Sequence, residues 1–220
     1  MYRKKFPGLS WLIAASLLTS ACHLQKQQQL PYYNTPDFTP VFVPEGRLPG
    51  SLVQHTIDTF SFTDQHGHII SSRQVAGKIH VANFIFTSCS SICPVMTKHM
   101  KLLQQAFQQD TGVVLLSYSV TPWIDSVSRL KQYAISNGIT DPNWHLLTGD
   151  KNQIYTLARQ SYFAEEDLGF SKDSTDFLHT EHVLLVDPAK RIRGIYNGTL
   201  QLDMEQLIAD IRTLQKEKGE

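Results

Sequence analysis

Cysteine is scarce in this chain, with three among 220 residues: Cys22, Cys89 and Cys93. Only the last two are close enough in sequence to act together. An excess of one charge is also lacking. Lys and Arg number 20, Asp and Glu 20, and no basic stripe runs along any segment, so nucleic-acid binding has no electrostatic support. The one N-terminal apolar run, Leu9 to Leu18, is too short for a membrane-spanning helix. Internal repeats are absent as well.

What the N-terminus does contain is ordered like an export signal. MYRKKFPGLSWLIAASLLTSAC begins with Arg3, Lys4 and Lys5, continues through the apolar run, and ends on small residues before Cys22. A cysteine directly after Thr19-Ser20-Ala21 resembles a bacterial lipoprotein cleavage box, with Thr19 in place of the usual aliphatic residue. Residues 1–21 are therefore expected to be a lipoprotein-type signal peptide. Cys22 becomes the acylated first residue, which anchors the protein on the periplasmic side of a bacterial membrane. Removal of the three basic residues leaves 17 Lys and Arg against 20 Asp and Glu, a formal charge of −3. The remaining 199 residues suffice for one domain with a sizeable core. Outside the cytoplasm a cysteine pair oxidises by default unless something reduces it or a metal holds it.

Residues 22–52 are rich in Gln and Pro, without helical or strand period, and read as a tether whose later part can wrap along the domain. Residues 53–220 carry the globular pattern. IDTFSFTD, the turn QHGH and a short Ile pair predict a β-hairpin. IHVANFIF (79–86) is a nearly continuous apolar run, as in a strand buried on both faces. CPVMTKHMKLLQQAFQQ spaces Met96, Met100, Leu103 and Phe107 at helical intervals. VVLLSYSV predicts a second buried strand, and SVSRLKQYAIS a helix closed by Asn137-Gly138. WHLLTG reads as a strand and KNQIYTLARQSYF as a helix. HVLLVDP and RIRGIY form a strand pair, and LDMEQLIADIRTLQKE a final amphipathic helix. This order predicts an α/β domain with a central sheet flanked by helices, extended at its N-terminus by the hairpin.

The cysteines occur in FTSCSSICP, at the carboxyl end of a central strand where it feeds a helix, which is where open α/β sheets place their sites. Residues four apart can present both sulfurs to one spot. A helix N-terminus favours thiolate, and Pro94 loses no needed hydrogen bond in a first turn. A disulfide there would close so small a loop that it stabilises little. The pair can instead serve redox exchange, or act as two soft donors for Cu(I) or zinc, to which imidazole adds well. Nine histidines are available. His66 and His68 read as turn residues, His80 and His145 as half-buried strand residues, and His99 has no settled heading. His179 and His182 begin a late strand, HTEHVLLVDP. Spacing alone does not select among them.

Four ordered segments carry a resemblance to a known family, over roughly residues 55–217. FTSCSSICP is similar to a T-x-C-P-x-x-C-P loop, SVTPWIDSVSRLKQYA to an S-V-D-P segment with its helix, WHLLTGDKNQI to a W-x-x-L-T-G stretch, and HTEHVLLVDPAKRI to an H-S/T-x-x-x-Y-L-x-D-P strand start. The chain resembles the Sco/SenC proteins, thioredoxin-fold copper-binding proteins that help assemble the copper A centre of cytochrome c oxidase. The resemblance implies a thioredoxin-like fold with the late strand beside the cysteine-bearing one. It also implies a copper site of Cys89, Cys93 and His179, taking Cu(I) or Cu(II), with His182 ranked second. Departures from the pattern are Ser90 for proline, Ser91 for a frequent aspartate, Thr121 for the aspartate of S-V-D-P, and Leu178 for the aspartate preceding the histidine. The last removes a partner that could orient the imidazole, a role open to Asp176.

The expected function is thus a membrane-anchored copper chaperone. Its partners would be a cytochrome c oxidase copper-site subunit or another copper protein, and a thiol–disulfide reductant. The alternative is a thioredoxin-like thiol–disulfide oxidoreductase in which Cys89 attacks and Cys93 resolves. A thiol peroxidase would need an activating threonine and arginine around one cysteine, and no arginine lies within the cysteine loop.

Overall fold

A computed structural model describes residues 29–44, 46–47, 49–164 and 180–217. In chain order the elements are β1 (Tyr32–Tyr33), β2 (Pro40–Val41), β3 (Ser61–Thr63), β4 (Ile69–Ser71), α1 (Ser72–Val75), β5 (Ile79–Ile85), α2 (Ile92–Ala106), β6 (Val113–Ser119) and α3 (Val127–Asn137). They continue with β7 (Trp144–Leu147), α4 (Lys151–Thr156), β8 (His182–Val186), β9 (Ile192–Asn197) and α5 (Gln201–Glu217). Among the described residues no helix is long and apolar enough to cross a membrane.

Seven strands form one mixed sheet in the order β2-β1-β9-β8-β5-β6-β7. β5, β6 and β7 run parallel, whereas β8 is antiparallel to β5 and β9 to β8. All seven residues of β5 are buried, and so are all seven of β6. That explains their nearly continuous apolar runs, because helices or loops cover both faces. On one face Val81, Ile85, Leu115, Val183 and Leu185 pack with Met96, Met100 and Leu103 of α2 and with Leu207 and Ile211 of α5. On the other, Phe84, Leu116, Tyr118 and Leu184 pack with Phe62, Tyr155 and Tyr162. The predicted hairpin is a separate two-stranded sheet, β3 with β4.

Helix ends follow local chemistry. Ser126 caps α3 by accepting from the Arg129 amide, and Gly138 closes it in the left-handed region at φ 65°. One feature differs from expectation. The helix read over KNQIYTLARQSYF is α-helical only to Thr156, and Leu157–Ser161 form a π turn. The wider turn accommodates one extra residue and leaves Leu157, Ala158, Ser161 and Tyr162 all buried. The Gln/Pro-rich segment supplies β1 and β2, with Tyr33 paired to Ile192 of β9. Strands of two residues are too short to show alternation in sequence. Here the Arg193 guanidinium holds the segment, donating to the carbonyls of Leu30 and Pro31 and lying over the Tyr32 ring at 4.0 Å.

Candidate metal centre

The cysteine loop leaves β5 at Phe86 and enters α2 at Ile92. Its first part is tied down from outside. The Thr87 amide donates to Asp125 Oδ2 at 3.2 Å and the Thr87 hydroxyl to Oδ1 at 2.5 Å. Arg129, projecting from α3, donates to the Thr87 hydroxyl at 2.6 Å and to the Ser88 hydroxyl at 2.7 Å. The arginine absent from the loop's own sequence therefore reaches it from the neighbouring helix.

Past Ser88 the chain turns, with the Cys89 amide donating to the Phe86 carbonyl at 3.2 Å. Ser91 precedes α2 without capping it through its side chain. A sulfur takes the cap's place, since the Cys93 amide donates to Cys89 Sγ at 3.5 Å. Four N-terminal amides of a helix have no internal acceptor, and their positive potential favours an anion.

The two thiols are both free, with Cys89 half-buried and Cys93 buried. Their acidities diverge. Desolvation works to raise Cys89, but backbone hydrogen bonds from Cys93, Ser91 and Ile92 outweigh it, and its pKa falls below that of an ordinary thiol. Burial pushes Cys93 up to about 12, with the neighbouring Cys89 and Asp125 charges acting in the same direction and a hydrogen bond with Phe86 opposing them. One reactive sulfur and one proton-retaining sulfur thus stand together. Tyr133 belongs to the same surroundings: burial raises its pKa, and its hydroxyl meets Thr97 Oγ1 at 2.7 Å, one turn beyond Cys93.

The histidines separate. His179 lies outside the described residues, as do Cys22, Asp176 and Leu178. The antiparallel pairing Asn83↔Val183 brings the start of β8 to the carboxyl end of β5, and Thr180, two residues before β8, is buried. His182, ranked second from the sequence, packs its ring edge-on against Phe38 at 5.8 Å. Phe38 belongs to the core face away from α2, so His182 is turned from the sulfurs. Its Nδ1 is buried, with no hydrogen-bond partner among the described residues.

The other described histidines have structural partners. His80 meets the Tyr162 hydroxyl at 3.1 Å, and complete burial lowers its pKa to about 3. His99 Nδ1 meets the Gly198 carbonyl at 2.9 Å. His145 Nδ1 lies 3.2 Å from Asp64 Oδ2, and the amides of His66 and His68 donate to Asp64 Oδ1. Among the described residues no group of three Cys, His, Asp or Glu side chains converges to hold a metal. The cysteine pair supplies two soft donors, which fit a soft cation.

Sequence reasoning missed Asp125 and Arg129. The one available signal is their spacing of four at the start of a helix, which brings Arg129 Nε to 3.5 Å from Asp125 Oδ1. Thr121, where the S-V-D-P pattern has aspartate, donates to the Asp125 carboxylate at 2.9 Å.

Known proteins resemble this chain over most of its length. A family model described as SCO1/SenC matches residues 50–216. A SCO1 protein homolog of Bacillus subtilis is 30% identical over 163 residues, covering 73% of this chain and 83% of the relative. The structure of a SCO1/SenC family lipoprotein from Bacillus anthracis superposes with a TM-score of 0.64 at 29% identity, covering 73% of this chain and 95% of that one. ScoI of Bradyrhizobium japonicum, solved with copper bound, superposes with a TM-score of 0.56 at 25% identity, covering 71% of this chain and 98% of its own. The fold is the thioredoxin-like one of these proteins.

Proposed function

The chain belongs to the SCO1/SenC family, and on that premise we propose that it is a copper chaperone binding one copper ion through Cys89, Cys93 and His179. The observation that carries this reading is the sulfur pair at the amino end of α2, where the Cys89 sulfur accepts the Cys93 amide. Two sulfur donors at a helix N-terminus suit a soft cation such as Cu(I), whose binding would displace the Cys93 proton, and imidazole completes a three-ligand set. The β8–β5 pairing supports His179 as the imidazole, because it sets the first residues of β8 beside the carboxyl end of β5, three residues after His179 in sequence. The copper carried by the Bradyrhizobium relative supports the choice of metal. Copper held by soft ligands at the loop would pass to a client by exchange with the client's own thiolates. The client expected for this family is the copper A subunit of cytochrome c oxidase. Acylation at Cys22, supported by the sequence before it and by the lipoprotein relative, would hold the domain at the periplasmic membrane face.

The test is titration of the fully reduced protein with Cu(I) beside its His179→Ala variant. The expected result is about one copper per chain, bound at least roughly tenfold more weakly by the variant. Equal affinity would remove His179 from the ligand set.

A second reading is favoured by the unequal acidities of the two thiols. A half-exposed Cys89 with lowered pKa and a buried Cys93 fit an attacking and a resolving cysteine. On this reading the protein reduces partner cysteines, and a Cys93→Ser variant accumulates mixed disulfides through Cys89. Absence of trapped partners under conditions where copper still binds would leave the chaperone alone.

A further inference from the structure

Asp125 is fully buried in the loop between β6 and α3, yet it ligates no candidate metal and caps no helix through its own carboxylate. Its two oxygens accept from four donors: the Thr87 amide at 3.2 Å, the Thr87 hydroxyl at 2.5 Å, the Ser119 hydroxyl at 2.7 Å and the Thr121 hydroxyl at 2.9 Å. Arg129 adds a charge at 3.5 Å. Burying a carboxylate is costly, and replacing such a group by apolar side chains is often neutral for stability. The arrangement is better explained by what it holds. Ser119 and Thr121 lie at the carboxyl end of β6, and Arg129 lies on α3. Both elements are thereby joined to Thr87, two residues before Cys89. Arg129 extends the hold to Ser88, the residue adjoining the cysteine.

We propose that Asp125 is a positioning residue for the cysteine pair. By clamping Thr87, and Ser88 through Arg129, it sets where the Cys89 sulfur stands relative to Cys93. A sulfur fixed beside its partner needs no further ordering to share a cation or to close a disulfide. A sulfur on a released loop has to be ordered first, and both processes weaken. The copper half of this inference rests on the function proposed above, whereas the disulfide half does not.

The experiment compares the native protein with Asp125→Asn, Thr87→Val and, as a control, Leu103→Ala. Asn matches aspartate in shape but presents an amide donor to hydroxyls that were donating. Val removes the hydroxyl shared by Asp125 and Arg129 and leaves the carboxylate in place. Leu103 is a buried core residue outside the loop network. Each folded protein is equilibrated with glutathione buffers, in which the two thiols plus glutathione disulfide give the Cys89–Cys93 disulfide plus two reduced glutathiones. Cu(I) affinity is measured in parallel.

Asp125→Asn and Thr87→Val are expected to lower the disulfide-forming constant about tenfold, which raises the potential by about 30 mV for a two-electron couple. They are expected to weaken copper binding by roughly 10–100-fold at unchanged stoichiometry. Leu103→Ala, destabilised but with its loop intact, should keep the native potential. If neither loop variant moves the potential, the positioning role is overturned, whatever happens to copper. Should Asp125→Asn fail to fold, Thr87→Val decides alone. If the native protein binds no copper while both variants shift the glutathione equilibrium, the copper reading falls and the positioning role stands.

Discussion

The amide of Cys93 donates to the sulfur of Cys89 at 3.5 Å, so one member of the pair caps the helix that carries the other. The contact joins a turn to a helix and makes the two sulfurs chemically unequal. Helix-end amides hold the Cys89 pKa down despite desolvation, while burial holds the Cys93 proton on.

Alkylation should therefore proceed in order. Iodoacetamide applied to the reduced protein at neutral pH is expected to modify Cys89 more than about tenfold faster than Cys93. The pH profile of Cys89 should have its midpoint below that of an ordinary thiol. Peptide mapping by mass spectrometry measures both, and equal rates at the two sites would contradict the acidity order.

Two buried groups should shape stability against pH from opposite sides. His80 is lowered from 6.5 to about 3. Its contribution is complete above pH 6.5 and is lost as pH falls towards 3, because the unfolded chain takes up the proton first. Cys93 is raised from 9.0 to about 12. Its contribution is complete below pH 9 and is lost as pH rises towards 12. Urea unfolding across pH should show both declines, each on the order of a few kcal/mol. A His80→Gln variant should flatten the acid limb only.

Arg193 is 3% exposed and joins both ends of the domain. It bonds Glu217 of α5 at 3.0 and 3.3 Å, the Leu30 carbonyl at 2.9 Å and the Pro31 carbonyl at 3.1 Å. Arg193→Ala is expected to cost about 3–5 kcal/mol, since it leaves buried acceptors unpaired. Limited proteolysis should then cut near residues 29–33 before the rest of the domain. Unchanged protection of that segment would count against the clasp.

Leu103 of α2 is fully buried between the helix and the sheet. Truncation to alanine should cost about 2–5 kcal/mol through lost burial and the cavity left behind. Denaturant unfolding reads the loss. A cost below about 1 kcal/mol would mean that the surrounding side chains collapse into the space.

Much of this protein is legible in the order of its residues. The nearly continuous apolar run 79–86 announces a strand covered on both faces, Met96, Met100 and Leu103 announce the buried face of a helix, and Asn137-Gly138 announces its neighbour's end. These follow from periodicity and backbone preference, which are properties of neighbours along the chain. The two cysteines at the start of a helix, and the family they point to, are equally plain.

Contacts between distant residues are decided by the tertiary structure. No local pattern marks Asp125 as the anchor of Thr87, 38 residues earlier, or Arg193 as the grip on Leu30, 163 residues earlier. Nothing local turns His182 toward Phe38 rather than toward the sulfurs. Each depends on which strand lies beside which, and that is settled only when the whole sheet has its order and both faces have been covered.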